Sequence, residues 1–401
     1  MGYQFMLSEA LKLQRKSAGQ AMRLLVVMLA ALAMHTAPAG AAETQSFDRL
    51  ASRAQQAMEA NQVPQAILLF QRATALRPSW SEGWWYLGTM FFDSNQLSNA
   101  REAFQHFVAA EHTQPGPGYG MLGMTEFRLK HYYDALAAFE RGIRLGLGTN
   151  TAFVQRALYE DGILQNLFGQ PEIALVRLTL LANQIAAANP NMPEDSVLAD
   201  TDLLDAFGLA ALRIPKLPTA IPQDRALLIR RVGHAQALVA LQDRVAAGTE
   251  LKQLVAEYPS EPNMHYAYGV YLLKEDPPAA VKEFQQEIAV TPKNAAARIQ
   301  LAFEFLRVGD YKQGLKYARE AVVLAPDNFA AHVVCGKLWL GAGDNARALH
   351  ELQTAVRLSP GSPDAHFALS LALSAAGRSR EAAQQRAEFQ RLRSLSTLTD
   401  R

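Results

Sequence analysis

Three features of the sequence have the residue types or spacing that chemistry requires. Residues 118–123 read Gly-Tyr-Gly-Met-Leu-Gly, a glycine spacing that lets a backbone approach a pyrophosphate. Cys335 is the single cysteine and offers a potential thiolate nucleophile. His265, His332 and His366 offer imidazoles, which bind metals or titrate near neutral pH. Whether any of these features acts chemically depends on the elements that carry it.

The surrounding sequence argues against catalysis at these positions. A dinucleotide site requires a strand before the glycines and an acidic residue on a following strand, and neither pattern accompanies residues 118–123. The motifs of zinc proteases, serine hydrolases, P-loops and calcium loops do not occur. Carboxylates are scattered at helical spacing, as on solvated faces. We therefore expect no catalytic residue, cofactor or metal, and predict that the protein is not an enzyme.

The elements are organised by a repeat of 34 residues. In each unit a large side chain is followed by an apolar-small pair, a second large residue, a small residue opening another amphipathic run, and a closing proline. Apolar positions at i, i+3, i+4 and i+7 predict two helices per unit, which only stacked neighbours can bury. Residues repeating at this spacing include Pro292, Pro326 and Pro360, Ala66 and Ala100, Phe70 and Phe104, and Ala302 and Gly336.

The unit at residues 81–114 carries the pattern most clearly, and it resembles a tetratricopeptide repeat. Its matching residues are Trp84, Leu87, Gly88, Phe91, Ala100 and Phe104. The resemblance extends over nearly the whole chain after residue 47, with candidate units at 47–80, 81–114, 116–149, 155–188, 228–261, 262–294, 295–328, 329–362 and 363–396. It implies an all-α fold, a right-handed α-solenoid of antiparallel helix pairs.

The repeat gives the glycines a structural role. Small residues in the first helix of a unit allow close packing against the second helix. We expect these small residues to face small residues of the second helices, so that the two backbones approach each other. The pairs are Gly88 with Ala100, Gly123 with Ala135, Gly162 with Ala174, and Gly336 with Ala348. Gly118 is expected to lie in the loop before its helix. A nucleotide-binding role for these glycines is therefore disfavoured.

The cysteine and the histidines also occupy repeated positions. Cys335 shares an apolar packing position with Leu301 and Leu369, which predicts a buried and inaccessible thiol. The three histidines share the fourth position of their units. Equivalent positions lie about 10 Å apart in stacked helices, whereas direct metal ligation requires about 2 Å. We therefore favour packing histidines over a metal or pH-sensing site.

The period breaks between residues 189 and 227. This segment holds five prolines, too many for one continuous helix, around an amphipathic run from Ser196 to Arg213. We expect one degenerate helix between two loops, and a hinge and a packed, divergent repeat both remain open. The predicted organisation is a signal peptide at 1–41, about four repeats at 42–188, the irregular insert at 189–227, about five repeats at 228–396, and a tail at 397–401.

Residues 1–41 have the order of a secretory signal. Basic residues precede the apolar run at 24–34, and small residues lead to an expected cleavage site after Ala41. Spanning a bilayer takes about 20 residues, more than this run provides. We therefore predict an exported chain, periplasmic or secreted, without a membrane span after the signal is removed. Met22 offers an alternative start that would give a more compact signal.

The composition excludes some classes of partner. Lysine plus arginine (39) nearly balances aspartate plus glutamate (38), so no global field attracts nucleic acid or an anionic membrane. One cysteine cannot form an internal disulfide framework. With 49% apolar residues the chain is expected to fold. Any partner must be recognised by local surface chemistry.

The resemblance implies a binding groove lined by the first helix of each unit. Carried over by position, its large side chains form the predicted partner-binding set Trp85, Phe92, Met124, Phe127, Tyr159 and Tyr266. The lysines and asparagines of the family's carboxylate clamp are absent from the matching positions. Aromatic anchors bury much area at low entropic cost. The same aromatics could instead pack against the neighbouring repeat.

Three functions follow as hypotheses. The favoured one is a non-enzymatic scaffold or adaptor that binds extended or helical protein segments during assembly or maintenance of envelope complexes. The alternative is an accessory subunit of a polysaccharide synthesis or secretion system, whose groove aromatics would face sugar rings. An enzyme completed by the insert at 189–227 is disfavoured, because no catalytic constellation accompanies it.

Overall fold

A computed structural model describes residues 39–191 and 193–399, and the regular structure of this part of the chain is entirely helical. The all-α prediction is thereby confirmed. The predicted signal peptide lies outside the described residues apart from its last three positions. Within the described chain, no helix is both long and apolar enough to cross a membrane.

Most of the helices form pairs joined by short loops. The first four pairs are α1 (Ala39–Glu59) with α2 (Val63–Leu76), α3 (Ser81–Asp93) with α4 (Leu97–Ala110), α5 (Gly116–Arg128) with α6 (Tyr132–Leu145), and α7 (Thr151–Leu167) with α8 (Pro171–Ala188). The irregular part contains α9 (Pro193–Leu198), α10 (Thr201–Ala211) and a 3-10 turn at Pro218–Ala220.

Five further pairs complete the described chain. They are α11 (Gln223–Ala240) with α12 (Arg244–Glu257), α13 (Met264–Glu275) with α14 (Pro277–Val290), α15 (Ala295–Val308) with α16 (Tyr311–Leu324), α17 (Phe329–Gly341) with α18 (Asn345–Leu358), and α19 (Pro363–Ala375) with α20 (Ser379–Thr399). The described chain divides into two compact units, 39–118 and 119–399, with the boundary inside α5.

The glycines of the first helices make room for a large side chain of the second helix. A Cβ atom on Gly88 would lie 2.5 Å from the ring of Phe104, and one on Gly123 would lie 2.7 Å from the ring of Phe139. The large residue four positions after Ala100 or Ala135 therefore lies closest to the glycine. The expected approach of small residues is seen at Gly336, where a Cβ atom would lie 3.2 Å from the Ala348 carbonyl oxygen. Gly118 lies within α5 rather than in a loop.

Within the insert at 189–227, helix α10 packs tightly against α11 of the following repeat. The expected single helix is two, α9 and α10, because the Asp200 side chain caps α10 by accepting a hydrogen bond from the Leu203 backbone N–H at 3.0 Å. Leu203, Leu204 and Phe207 are buried. The structure thus favours the packed arrangement over a hinge at α10.

Two glycines allow the backbones of α10 and α11 to touch. A Cβ atom on Gly208 would lie 1.9 Å from the Ile229 carbonyl oxygen, and one on Gly233 would lie 1.7 Å from the Leu204 carbonyl oxygen. Side chains of other elements fix the loop after α10. Asn166 donates to the Ile214 carbonyl at 2.7 Å, as part of that anchoring.

The repeated histidines join each closing proline to the second helix of the next unit. All three are buried, with the ring Nε2 within 3.0 Å of the carbonyl oxygen of the proline six residues earlier and Nδ1 within 2.7 Å of a side-chain oxygen. Both ring nitrogens are therefore engaged within the protein. The contacts are His265 with Pro259 and Glu283, His332 with Pro326 and Glu351, and His366 with Pro360 and Gln385.

Candidate binding surfaces

The first candidate surface is the Trp85 groove, a concavity of about 470 Å³ in the unit at 39–118. It is lined by Ser81, Glu82, Trp85, Phe107, Glu111, Thr113, Gln114 and Pro117. The indole of Trp85 is half-buried and packs 5.2 Å from the ring of Phe107, between ring centroids. Helix α3 supplies one wall, and α4 with the loop that follows supplies the other.

The rim of the Trp85 groove carries an ordered carboxylate. Glu111 accepts hydrogen bonds from the backbone N–H groups of Thr113 and Gln114 at 2.8 and 3.2 Å and from the Ser81 hydroxyl at 2.9 Å. These bonds lower the pKa of Glu111. The exposed Glu82 adds a second carboxylate beside the apolar wall. The groove therefore offers an aromatic contact next to negative charge.

The neighbouring Trp84 has a different role. Its ring stacks on His106 with 4.3 Å between centroids, and its Nε1 donates to the Pro78 carbonyl at 2.8 Å. It does not line the Trp85 groove. Of two adjacent tryptophans that are both half-buried, Trp84 therefore makes internal contacts and Trp85 lines an accessible groove.

Tyr159 lines a smaller concavity of about 270 Å³ in the unit at 119–399. Helices α7, α8 and α10 contribute to it. Burial, followed by the nearby carboxylates of Asp202 and Asp200, raises the pKa of the Tyr159 hydroxyl, which stays protonated at neutral pH. Its lining is Ala152, Gln155, Arg156, Tyr159, Leu181, Ile185, Asp200 and Asp202.

The other predicted anchors are less available. Met124 and Tyr266 are each only 6% exposed, which leaves little side-chain surface for a partner. Phe127 is half-buried against the apolar cluster that also holds Tyr159, and it lies 5.5 Å from Tyr132 between ring centroids. Phe92 is half-buried in the first unit. A partner-binding role for the six residues remains a prediction, and burial argues against it for Met124 and Tyr266.

A second large surface was missed by the sequence analysis. We call it the basic groove: two concavities of about 770 and 570 Å³ that share Arg319 and Trp339. Most of its lining comes from α16, a second helix of a repeat, and from α18. It is lined by Pro292, Arg298, Lys312, Leu315, Lys316, Arg319, Glu320, Val323, Leu324, Trp339, Ala346, Arg347, His350 and Glu351. The spacing of Lys312, Lys316, Arg319 and Val323 along one helix face was the available signal.

The residues first considered for chemistry have structural surroundings. Cys335 is buried, and desolvation raises the pKa of its thiol to about 12, so it carries no thiolate near neutral pH. Cβ atoms on Gly118 and Gly120 would collide with the rings of Phe107 and Phe153, at 2.2 and 2.6 Å respectively. Aromatic rings therefore fill the space beside these two glycines, which serve helix packing.

One group of potential metal ligands converges in the described chain. Glu126, His131 and Asp134 each place a ligand atom within 4.8 Å of the others. The buried Glu126 already accepts a contact from His131 Nδ1 at 2.9 Å. His131 and Asp134 are exposed at the start of α6. The contact between Glu126 and His131 accounts for two members of this group.

Comparisons with known proteins address the repeats directly. The tetratricopeptide repeat model matches residues 52–115, 299–363 and 336–391. A search of curated proteins finds no match. Similar solved structures include a MamA crystal structure (15% identity, 41% of this chain and 96% of that chain, TM-score 0.38) and MamA from residue 41 to its end from Desulfovibrio magneticus RS-1 (21% identity, 45% and 100%, TM-score 0.38). Another is YrrB, described as a TPR protein with an unusual peptide-binding site (17% identity, 43% and 89%, TM-score 0.37).

Proposed function

Because the chain belongs to the tetratricopeptide repeat family, we propose that it is a non-enzymatic scaffold that binds segments of other proteins. Stacked helix pairs present extended surfaces on which partner segments can lie. The observation that carries the proposal is the Trp85 groove, an accessible aromatic wall beside ordered carboxylates. A partner segment would place an apolar side chain against Trp85 and Phe107.

The rim suggests the chemistry of that segment. Glu111 and the exposed Glu82 favour cationic groups or N–H donors beside the inserted apolar side chain. A segment with a leucine or aromatic residue next to lysine or arginine satisfies both requirements. Aromatic anchors in such grooves contribute a large share of binding energy.

The cellular setting is a finer part of the proposal. Export directed by residues 1–41 would place the scaffold with envelope proteins, in whose assembly or maintenance it would act. A role as an accessory subunit of polysaccharide synthesis or secretion is the alternative, in which groove aromatics face sugar rings. Fusing residues 1–60 to alkaline phosphatase, which needs disulfides and is active only after export, tests the setting. An inactive reporter that is nevertheless expressed would contradict export.

The binding role is tested with matched tryptophan variants. Twelve-residue peptides selected by phage display on the full chain are measured by fluorescence anisotropy with the native protein, Trp85→Ala and Trp84→Ala. We expect Trp85→Ala to weaken binding by tenfold or more, since it removes the wall of the groove. Trp84→Ala should change affinity less than threefold, because Trp84 does not line the groove.

Folding is checked by circular dichroism, because Trp85 also packs against Phe107. Glu82→Lys provides a second variant at an exposed position. It reverses the rim charge and removes only the hydrogen bond that Glu82 accepts from the Tyr86 hydroxyl at 3.2 Å. If folded Trp85→Ala and Glu82→Lys both bind the selected peptides as the native chain does, the Trp85 groove is not the binding site. Selection of no peptide at all would contradict the scaffold function at this surface.

A further inference from the structure

The basic groove has an unbalanced charge. Five cationic side chains line it, Arg298, Lys312, Lys316, Arg319 and Arg347, against the two carboxylates of Glu320 and Glu351. Both carboxylates already have partners. Glu320 accepts from Arg298 Nε at 2.8 Å, and Glu351 contacts His332 Nδ1 at 2.7 Å.

Three cations therefore lack a carboxylate partner within the described chain. Lys312, Lys316 and Arg319 are exposed on one face of α16 and form none of the ion pairs found there. Holding like charges on one helix face costs free energy in an isolated protein. An anionic ligand would relieve that repulsion.

The basic groove also contains solvent-exposed apolar side chains. Val323 is 80% exposed, although it stands one helical turn from Arg319. Leu315 and Leu324 continue this surface, and the half-buried indole of Trp339 closes it. The guanidinium of Arg347 lies 4.4 Å from the Trp339 ring centroid, which orients one cation over the aromatic wall.

We propose that the basic groove binds an acidic segment of a partner protein, with carboxylates on Lys312 and Arg319 and an apolar side chain against Val323 and Trp339. The alternation of cations and apolar side chains along α16 matches a segment in which acidic and apolar residues alternate. A small inorganic anion would leave the apolar surface exposed. Most of this surface lies on the second helices α16 and α18, and its occupation does not depend on the Trp85 groove.

The test uses fluorescein-labelled ten-residue peptides with capped ends and the full chain. One peptide alternates glutamate and leucine, the second has glutamine in place of glutamate, and the third is glutamate alone. We expect the glutamate-leucine peptide to bind at least tenfold more tightly than either other peptide. Its affinity should fall with rising salt, because exposed charges are screened.

Two double variants with the same change in net charge locate the site. Lys312→Glu with Arg319→Glu should weaken the glutamate-leucine peptide at least tenfold. Lys252→Glu with Lys282→Glu, on exposed positions of α12 and α14, should weaken it less than twofold. Val323→Ser should reduce the advantage of the leucine-containing peptide over glutamate alone. All variants are at exposed positions, and circular dichroism verifies that they fold.

Three results would overturn the proposal. The first is equal weakening by both double variants, which would show only a general charge effect. The second is equal affinity for the glutamine peptide, which would remove the role of the cations. The third is tighter binding of polyuronate oligosaccharides through Lys312 and Arg319, which would assign the groove to an acidic polysaccharide. Trp85→Ala should leave the glutamate-leucine affinity unchanged, so failure here is separable from failure of the Trp85 groove.

Discussion

Two regions of the unit at 119–399 pack their helices by different means. Between α10 and α11, Gly208 and Gly233 bring the backbones themselves into contact. Between α13 and α14, Gly269 makes room for the ring of Phe284, which a Cβ atom would approach to 2.7 Å. A side chain can change rotamer to relieve an overlap, whereas a helix backbone must move as a whole. The contact between α10 and α11 in the irregular region should therefore tolerate an added side-chain atom less well than the contact between α13 and α14.

Two buried glutamates of this unit, Glu160 and Glu287, also differ in how their carboxylates are hydrogen-bonded. Glu160 on α7 is 2% exposed, and its Oε2 atom has no hydrogen-bond partner. Glu287 on α14 is fully buried, and it accepts from the backbone N–H groups of Asn263 and Tyr266 at 3.0 and 3.3 Å. Asn294 adds a third donor at 3.0 Å. The Glu287 carboxylate accepts hydrogen bonds from free N–H groups at the start of α13. The Glu160 carboxylate is buried with one oxygen atom unpaired, which costs free energy.

The largest expected effect is the difference in stability between alanine substitutions at Gly233 and at Gly269. Gly233→Ala should lower the free energy of unfolding by about 3 kcal/mol or more, because overpacking here forces two backbones apart. Gly269→Ala should cost about 1–2 kcal/mol, since the Phe284 ring can shift. Urea unfolding followed by circular dichroism measures both.

Gly361→Ala is the matched control, because a Cβ atom there meets nothing within 4 Å. It should change stability by less than about 0.5 kcal/mol. A cost for Gly233→Ala no larger than that for Gly269→Ala would show that the α10–α11 contact yields as easily as a side chain.

The two glutamates should respond to amidation with opposite signs. Glu287→Gln should destabilise the protein by about 1–3 kcal/mol, since an amide N–H₂ group would face an N–H donor. Glu160→Gln should stabilise it at pH 8 by on the order of 2 kcal/mol, because desolvation raises the pKa of Glu160 to about 7 and its ionised form is disfavoured. Thermal unfolding at pH 8 compares them.

The pH dependence provides the control for Glu160. Between pH 4.5 and about 7 the folded chain holds a proton that the unfolded chain releases, so stability falls as pH rises through this window. The gain from Glu160→Gln should therefore vanish near pH 4.5. Glu194→Gln, at an exposed position, should show no such trend. A gain equal at both pH values would refute the role of Glu160 ionisation.

The smallest effect distinguishes two of the repeated histidines. His265 meets oxygen acceptors on both ring nitrogens, and the hydrogen bond to Glu283 chiefly raises its pKa. Its contribution is fully present below pH 6.5 and is lost as pH rises through the raised pKa. His265→Gln should thus cost about 1 kcal/mol more at pH 6 than at pH 9.

His366 is the matched comparison because its Nδ1 atom contacts the Gln385 amide, which can donate or accept after rotation. We expect the extra cost at pH 6 to be smaller for His366→Gln than for His265→Gln, because no carboxylate contacts the Nδ1 atom of His366. Urea unfolding at pH 6 and pH 9 measures both variants. Equal pH dependence for the two histidines would remove the carboxylate as the cause of the difference.

Much of the helical plan could be predicted, while the site residues could be predicted only in part. Period and helical spacing located helix pairs because each depends on residues close in sequence. The burial of Met124 and Tyr266 could not be predicted in this way, since it depends on neighbouring elements. The basic groove escaped notice because Arg298, Lys312 and Trp339 come from different helices.

The sequence by itself determined the helical class, the repeating helix pairs and the burial of Cys335, because spacing of apolar residues selects the face that each helix buries. Tertiary structure alone decided that Gly233 meets a backbone and Gly269 a ring, and that Trp85 lines a groove while Trp84 packs on His106. These outcomes depend on the distance and orientation of facing helices. Local periodicity fixes which face packs but not how closely its neighbour approaches.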